Sequence, residues 1–163
     1  MGNRQCAVGI NNNTNNYMLR NPIVYVYSGH CQDALPSTLG PSENGSALFT
    51  KTPNTACGAV GVFTYDLYSE STNRDEKKMA VMFSNPYNFN FYSNLYAVGL
   101  FDKNELVDYS LYDKMYYKTG IEFVRDHAGS DLIYKGNGLI ISATMTDSYQ
   151  PQLDVNIISS ING

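Results

Sequence analysis

The chain lacks tryptophan altogether and has only three cysteines and two histidines in 163 residues. Each scarcity excludes something. Cys6, Cys31 and Cys57 are odd in number and show no C-x-x-C spacing, so neither a complete disulfide framework nor a cysteine-built zinc site is expected. Buried free thiols are the expectation instead. His30 and Cys31 are neighbours that a strand would point to opposite faces, and His127 stands far from both, so no metal site is expected. No nucleophile elbow, phosphate-binding loop, dinucleotide fingerprint or H-E-x-x-H motif occurs. The chain therefore reads as a protein without catalytic residues or cofactor, and not as an enzyme. Basic residues are few: Lys plus Arg number 11 against 15 Asp plus Glu, a net charge of −4. Nothing in that balance attracts a polyanion, which excludes nucleic acid as the expected partner. Charged residues make up 16% and hydrophobic residues 43%, a balance too apolar for a disordered chain. No continuous apolar run of about 18 residues exists to form a spanning helix, and the first residues lack the charged and apolar regions of a signal peptide.

What is present is a series of short apolar runs separated by Asn, Pro, Gly and Ser clusters. They are Gln5–Ile10, Ile23–Tyr27, Ala47–Thr50, Ala59–Tyr68, Met79–Phe83, Tyr96–Phe101, Leu132–Lys135, Leu139–Met145 and Leu153–Ile158. All have strand length, and many are β-branched or aromatic. Only Ser110–Tyr117 reads as a helix, with Ser110 as its cap, Leu111 and Met115 on one face and Tyr112 and Tyr116 on the next. The expectation is one all-β domain over residues 1–163, a two-sheet sandwich with one or two short flanking helices.

From Met79 to Phe101 there is no charge, and seven rings crowd the stretch. Tyr87-Asn88-Phe89-Asn90-Phe91 alternates as a strand does. Pro86 and the asparagines at 85, 88 and 90 favour a loop, and a loop with so many uncharged rings leaves an apolar patch of the kind that marks a binding surface. Tyr112, Tyr116 and Tyr117 form a second aromatic group. Should the two groups meet, their electron-rich faces suit a quaternary ammonium such as choline.

Six segments in order carry a resemblance over nearly the whole chain: CAVGINN (Cys6–Asn12), YSG (Tyr27–Gly29), GAVGVFTYDL (Gly58–Leu67), MAVMFSNPYNFNFYSN (Met79–Asn94), LYDKMYY (Leu111–Tyr117) and ISATM (Ile141–Met145). They resemble the actinoporins, the pore-forming cytolysins of sea anemones, and Ala56–Leu67 and Phe123–Gly129 look closer to the actinoporin-like proteins of fish. The resemblance implies a β-sandwich that binds phosphocholine headgroups in sphingomyelin- or phosphatidylcholine-containing membranes, self-assembles there, and is secreted to act at a target cell membrane. It implies that the headgroup pocket falls on Ser28, Val60, Ser84, Pro86, Tyr92, Tyr112, Tyr116 and Tyr117. It also implies a lipid-recognition role for Arg4 and a membrane-interface loop carrying Tyr87, Phe89, Phe91, Leu95 and Tyr96.

The sequence departs from the family pattern in three respects. Phe91 and Leu95 stand where the anemone proteins have tryptophans, and Val124-Arg125-Asp126 replaces their Arg-Gly-Asp. The family's pore is built by an N-terminal amphipathic helix of about two dozen residues, long enough to cross about 30 Å of hydrocarbon, whereas here the sandwich pattern starts by Cys6. A glycan-binding lectin of the fungal fruit-body type is the alternative reading, since Tyr, Asn and Ser also serve sugars; no residue argues for a protein-binding domain. The helix Ser110–Tyr117 spans only about 12 Å at 1.5 Å per residue. The polypeptide of these 163 residues is therefore expected to saturate sphingomyelin vesicles while releasing trapped dye at background level, and efficient leakage would overturn this.

Overall fold

The computed structural model describes residues 3–160. In chain order the strands are β1 (Gln5–Asn13), β2 (Tyr17–Ser28), β3 (His30–Asp33), β4 (Thr38–Leu39), β5 (Asn44–Thr50), β6 (Ala59–Ser69), β7 (Arg74–Asn85), β8 (Leu95–Asp102), β9 (Phe123–His127), β10 (Leu132–Gly136), β11 (Leu139–Met145) and β12 (Gln152–Ser159), with helix α1 (Tyr109–Tyr117) between β8 and β9. They form two six-stranded sheets, ordered β10-β11-β12-β1-β5-β3 and β4-β2-β6-β7-β8-β9. The fold is an all-β sandwich with one short helix among the described residues. β1 and β12 pair in parallel, Val8 opposite Leu153; every other pairing is antiparallel.

The two sheets obey different sequence rules because they are covered differently. β1 alternates, with Cys6, Val8 and Ile10 buried and the residues between them half-buried, as expected for a sheet with one face on the core. β6, β7 and β8 are buried through most of their length. Phe63, Tyr65, Val81, Phe83 and Val98 face the first sheet in the central core. Val62, Ala80, Met82 and Ala97 face the other way, into a second cluster closed by Leu111 and Met115 of α1. Burial on both faces accounts for the near-continuous apolar runs of these strands. Each fully buried Phe or Met contributes about 1.5–3 kcal/mol.

All nine expected strands are present. The three that the apolar pattern did not predict, β3, β4 and β9, are short and lie at sheet edges, where polar sequences such as His30–Asp33 discourage pairing with other chains. The helix begins one residue earlier than expected and is capped by Asp108 rather than Ser110. Asp108 Oδ1 accepts from the backbone N–H groups of Ser110 at 2.9 Å and Leu111 at 3.3 Å, and a carboxylate also complements the helix N-terminus. At the other end Arg125 of β9 donates to the carbonyls of Met115 (2.8 Å) and Lys118 (2.7 Å), so the helix is fixed to the sheet at both termini. Only one thiol matches the expectation of burial: Cys6 is buried, Cys31 is half-buried and Cys57 is exposed.

Two core tyrosines satisfy their hydroxyls on backbone. Tyr65 donates to the Pro36 carbonyl at 2.6 Å, and Tyr96 donates to the Ser130 carbonyl with that of Ala143 3.1 Å away. Burial pushes both hydroxyls above the ordinary tyrosine range, Tyr96 to about 12. The unfolded chain thus loses these protons first, near pH 10. Their contribution to stability is whole below about pH 10 and is lost as pH rises toward 12. Denaturant midpoints measured from pH 8 to 12 should fall above about 10, and the fall should shrink in Tyr96→Phe; an unchanged fall would contradict the assignment.

Candidate functional site

At one end of the second sheet, Ser28, Val60 and Ser84 lie opposite one another on β2, β6 and β7, and opposed residues share a face. Val60 belongs to the helix-side cluster, so this row forms the base beneath α1. The helix brings Tyr112, Tyr116 and Tyr117 over it, because burying Leu111 and Met115 turns the neighbouring face toward the margin of the sheet. The loop from Pro86 to Asn94 closes the third side. Together these elements enclose a cavity of about 300 Å³.

All eight residues expected in a headgroup pocket, Ser28, Val60, Ser84, Pro86, Tyr92, Tyr112, Tyr116 and Tyr117, line this one cavity. Tyr27, Tyr87, Asn88 and Cys57 line it too, and the sequence reading had not placed them there. Tyr27 precedes Ser28 and would point to the opposite face of a regular strand. A bulge between Val26 and Ser28 re-aims it, and its ring stacks on Tyr112 with centroids 5.0 Å apart at 11°. Tyr112 meets Tyr116 at 5.6 Å, and Tyr116 meets Tyr117 at 4.5 Å. Tyr112 is 5% exposed while Tyr27, Tyr92 and Tyr117 are 56%, 58% and 66% exposed, so one ring forms the wall and three form the rim. Gly58 lies where a Cβ would collide with the Asn85 carbonyl oxygen, so only glycine lets this loop approach the end of β7.

No Asp, Glu, Lys or Arg lines the cavity. Burial raises the hydroxyls of Tyr112 and Tyr116 above their ordinary range, so the rings remain neutral at physiological pH. Neutral phenol faces around a partly desolvated space attract a cation through their quadrupoles, and the serine hydroxyls supply hydrogen-bond donors and acceptors. No group of three or more metal-ligating side chains occurs among the described residues.

The Pro86–Asn94 segment is a loop, as its Pro and Asn content favours over its alternation. Asn90 N–H donates to Asn88 Oδ1 at 2.9 Å, and the N–H of Tyr92 reaches the Asn88 carbonyl at 3.1 Å. Asn85 Nδ2 donates to Asn94 Oδ1 across the base at 2.9 Å. Arg4 locks the loop from the side. Its Nε donates to the Pro86 carbonyl at 3.0 Å and its Nη2 to the Tyr87 carbonyl at 2.6 Å, and the guanidinium lies 5.0 Å from the Phe89 ring centroid and 4.6 Å from that of Tyr149. At 8% exposure, Arg4 positions the loop. Phe91 projects from the tip at 78% exposure, and Tyr87 and Phe89 are half-buried.

Two residues expected on a membrane-interface loop lie elsewhere. Tyr96 is fully buried because it falls on the inward face of β8, opposite Phe83. Leu95, the first residue of β8, packs half-buried against the helix-side cluster. The protruding apolar surface therefore belongs to Phe91 and Tyr92.

Comparison with known proteins adds an independent finding. The family described as sea anemone cytotoxic protein matches residues 1–159. The deep-sea actinoporin Cjtox I of Cribrinopsis japonica is 28% identical over 158 residues, covering 94% of this chain and 66% of that protein. DELTA-actitoxin-Aas1a of Anthopleura asiatica is 32% identical over 160 residues, covering 95% and 69%. The chain thus spans about two-thirds of the length of these relatives. The crystal structure of the lipid-binding protein Nakanori superposes with a TM-score of 0.75 at 11% identity, covering 96% of this chain and 72% of that one, which establishes a shared fold.

The contrast between tip and core is measurable without any ligand. Phe91→Ser should change stability by less than about 0.5 kcal/mol, whereas Tyr96→Ala should cost about 3–5 kcal/mol, as for other large buried aromatics. Arg4→Ala should raise amide hydrogen exchange across Tyr87–Tyr92 while leaving β6 and β7 protected. Exchange confined to β1 would show that Arg4 does not hold the loop.

Proposed function

Because this chain belongs to the actinoporins, the sea anemone cytotoxic protein family, we propose that its tyrosine-lined cavity binds the choline end of phosphocholine headgroups on a target membrane. The observation that carries the reading is the convergence of six tyrosines, Tyr27, Tyr87, Tyr92, Tyr112, Tyr116 and Tyr117, on one cavity with no charged residue in its lining. A trimethylammonium group has no N–H to donate, so it cannot use a carboxylate as a hydrogen-bond acceptor, whereas neutral ring faces attract its charge through their quadrupoles. The phosphate beside it meets the hydroxyls of Ser28 and Ser84. Tight attachment then comes from Phe91, whose ring enters the bilayer interface next to the occupied cavity. Sphingomyelin and phosphatidylcholine share this headgroup. Assembly on the membrane and pore formation are activities proposed for the whole protein.

Magnitudes divide the work between cavity and loop. Each cation–π contact contributes about 0.5–2 kcal/mol, and a dissociation constant of about 1 mM corresponds to about 4.1 kcal/mol. Soluble phosphocholine should therefore bind only at millimolar concentration, with Phe91 burial supplying the rest on vesicles. Tyr112 is part of the packing against β6, so the informative variants remove rim rings. Tyr27→Ala with Tyr117→Ala should keep the thermal midpoint and weaken phosphocholine binding, each ring accounting for roughly 2- to 30-fold. Phe91→Ser should leave soluble phosphocholine binding intact and reduce co-sedimentation with sphingomyelin vesicles. Undiminished vesicle binding by the folded double variant would refute the cage, and binding to a sugar in place of phosphocholine would favour a lectin.

A further inference from the structure

A second cavity, of about 400 Å³, opens beside the first. Its base is a row on the outer face of the first sheet, where Gln5 of β1 and His30 of β3 both lie opposite Thr50 of β5. His30 Nε2 is 3.1 Å from Thr50 Oγ1. Arg4, Lys51 and the amide side chains of Asn3, Gln32 and Asn54 complete its polar lining. A single ring separates the two cavities: Tyr87 lines the aromatic one, while Arg4 lies 5.0 Å and Lys51 5.8 Å from its centroid.

The charge of this cavity runs against that of the chain. The protein carries a net charge of −4, yet Arg4 and Lys51 line this space and no carboxylate does. Neither Arg4 nor Lys51 forms a salt bridge among the described residues. Arg4 is 8% exposed and engages carbonyls through Nε and Nη2, while Nη1 has only a long contact, 3.5 Å, to the Asn3 carbonyl. A guanidinium offers five N–H donors, so donors remain on a buried cation that has no counter-ion. The ring faces of Tyr87, Phe89 and Tyr149 offset part of that charge, and an anion at the remaining donors would complete its compensation.

We propose that this cavity binds a phosphate monoester of a polyol, an inositol phosphate being the simplest instance. Arg4 and Lys51 hold the phosphate by charge-assisted hydrogen bonds. The amides of Gln5, Gln32 and Asn54, each both donor and acceptor, meet the hydroxyls. Phosphate alone would leave most of the volume and all of the amides unused. The ligand is either a free phosphate ester or the same group displayed on a lipid, and in the second case it occupies a headgroup position next to the choline of the reading above.

The test titrates the full chain with inorganic phosphate and with myo-inositol 1-phosphate, followed by calorimetry or amide shifts. The ester should bind more tightly than phosphate. Lys51→Gln, at a half-buried surface position, should keep the thermal midpoint and weaken both by about tenfold, and Lys51→Glu by more. Gln32→Ala should weaken the ester and spare phosphate. The rim variant Tyr27→Ala with Tyr117→Ala should leave both titrations unchanged, so failure of the choline cage and failure of this site are separable. Greater retention on phosphatidylcholine vesicles containing phosphatidylinositol 4-phosphate than on vesicles carrying equal charge as phosphatidylserine, lost in Lys51→Gln, would support the site with a lipid ligand. Soluble binding with no such gain would support it with a free ester. Absence of binding to both soluble compounds, or binding that Lys51→Gln and Lys51→Glu leave untouched, would overturn it.

Discussion

The structure depends on one constraint: β6, β7 and β8 carry apolar side chains on both faces, and the first sheet can cover only one of them. Val62, Ala80, Met82 and Ala97 must be covered from outside, and α1 does so with Leu111 and Met115. Once those two side chains point inward, the helical repeat fixes where Tyr112, Tyr116 and Tyr117 fall. The aromatic cavity is thus a margin of the packing, formed where the helix ends and the Ser28–Val60–Ser84 row emerges from beneath it. A helix held by Asp108 at one end and Arg125 at the other has little freedom to shift, so the ring-lined cavity is formed by the fold alone. Preformed rings lose little entropy on binding.

Arg4 sets the electrostatic character of the same end of the molecule. By donating to the Pro86 and Tyr87 carbonyls it keeps a positive charge behind the loop and out of the lining of the aromatic cavity. The result is two adjacent spaces of opposite chemistry, one neutral and ring-lined, the other cationic and amide-lined, divided by Tyr87.

How much of this was legible in the sequence depends on burial. Strands with a strong apolar signal were readable because burial on one face leaves alternation and burial on both leaves a run, as in Ala59–Tyr68. β3, β4 and β9 were not, because edge strands are selected for polarity and shortness, and Thr38–Leu39 is too short to show any period. The eight pocket residues converge, yet no local rule could assemble them from four separate segments; the resemblance did that. Tyr96 was assigned to the loop by the resemblance although the apolar run Tyr96–Phe101 already placed it on a strand, whose register opposite Phe83 buries it. Tyr27 was missed because a bulge reverses its face, and bulges leave no reliable trace in composition.

Cys57 has a practical meaning. Among the described residues it is the one exposed thiol, and it lines the mouth of the aromatic cavity. Cys6 is sealed in the core, where burial pushes its thiol up to about 12, and burial also raises that of the half-buried Cys31. The thiolate is the nucleophile that attacks a thiol reagent, and it must be accessible to do so, so the fold itself directs a maleimide dye or a nitroxide to one position. The native chain thereby carries its own attachment point for spectroscopy, at a place where a reporter senses any change of polarity at the mouth of the cavity.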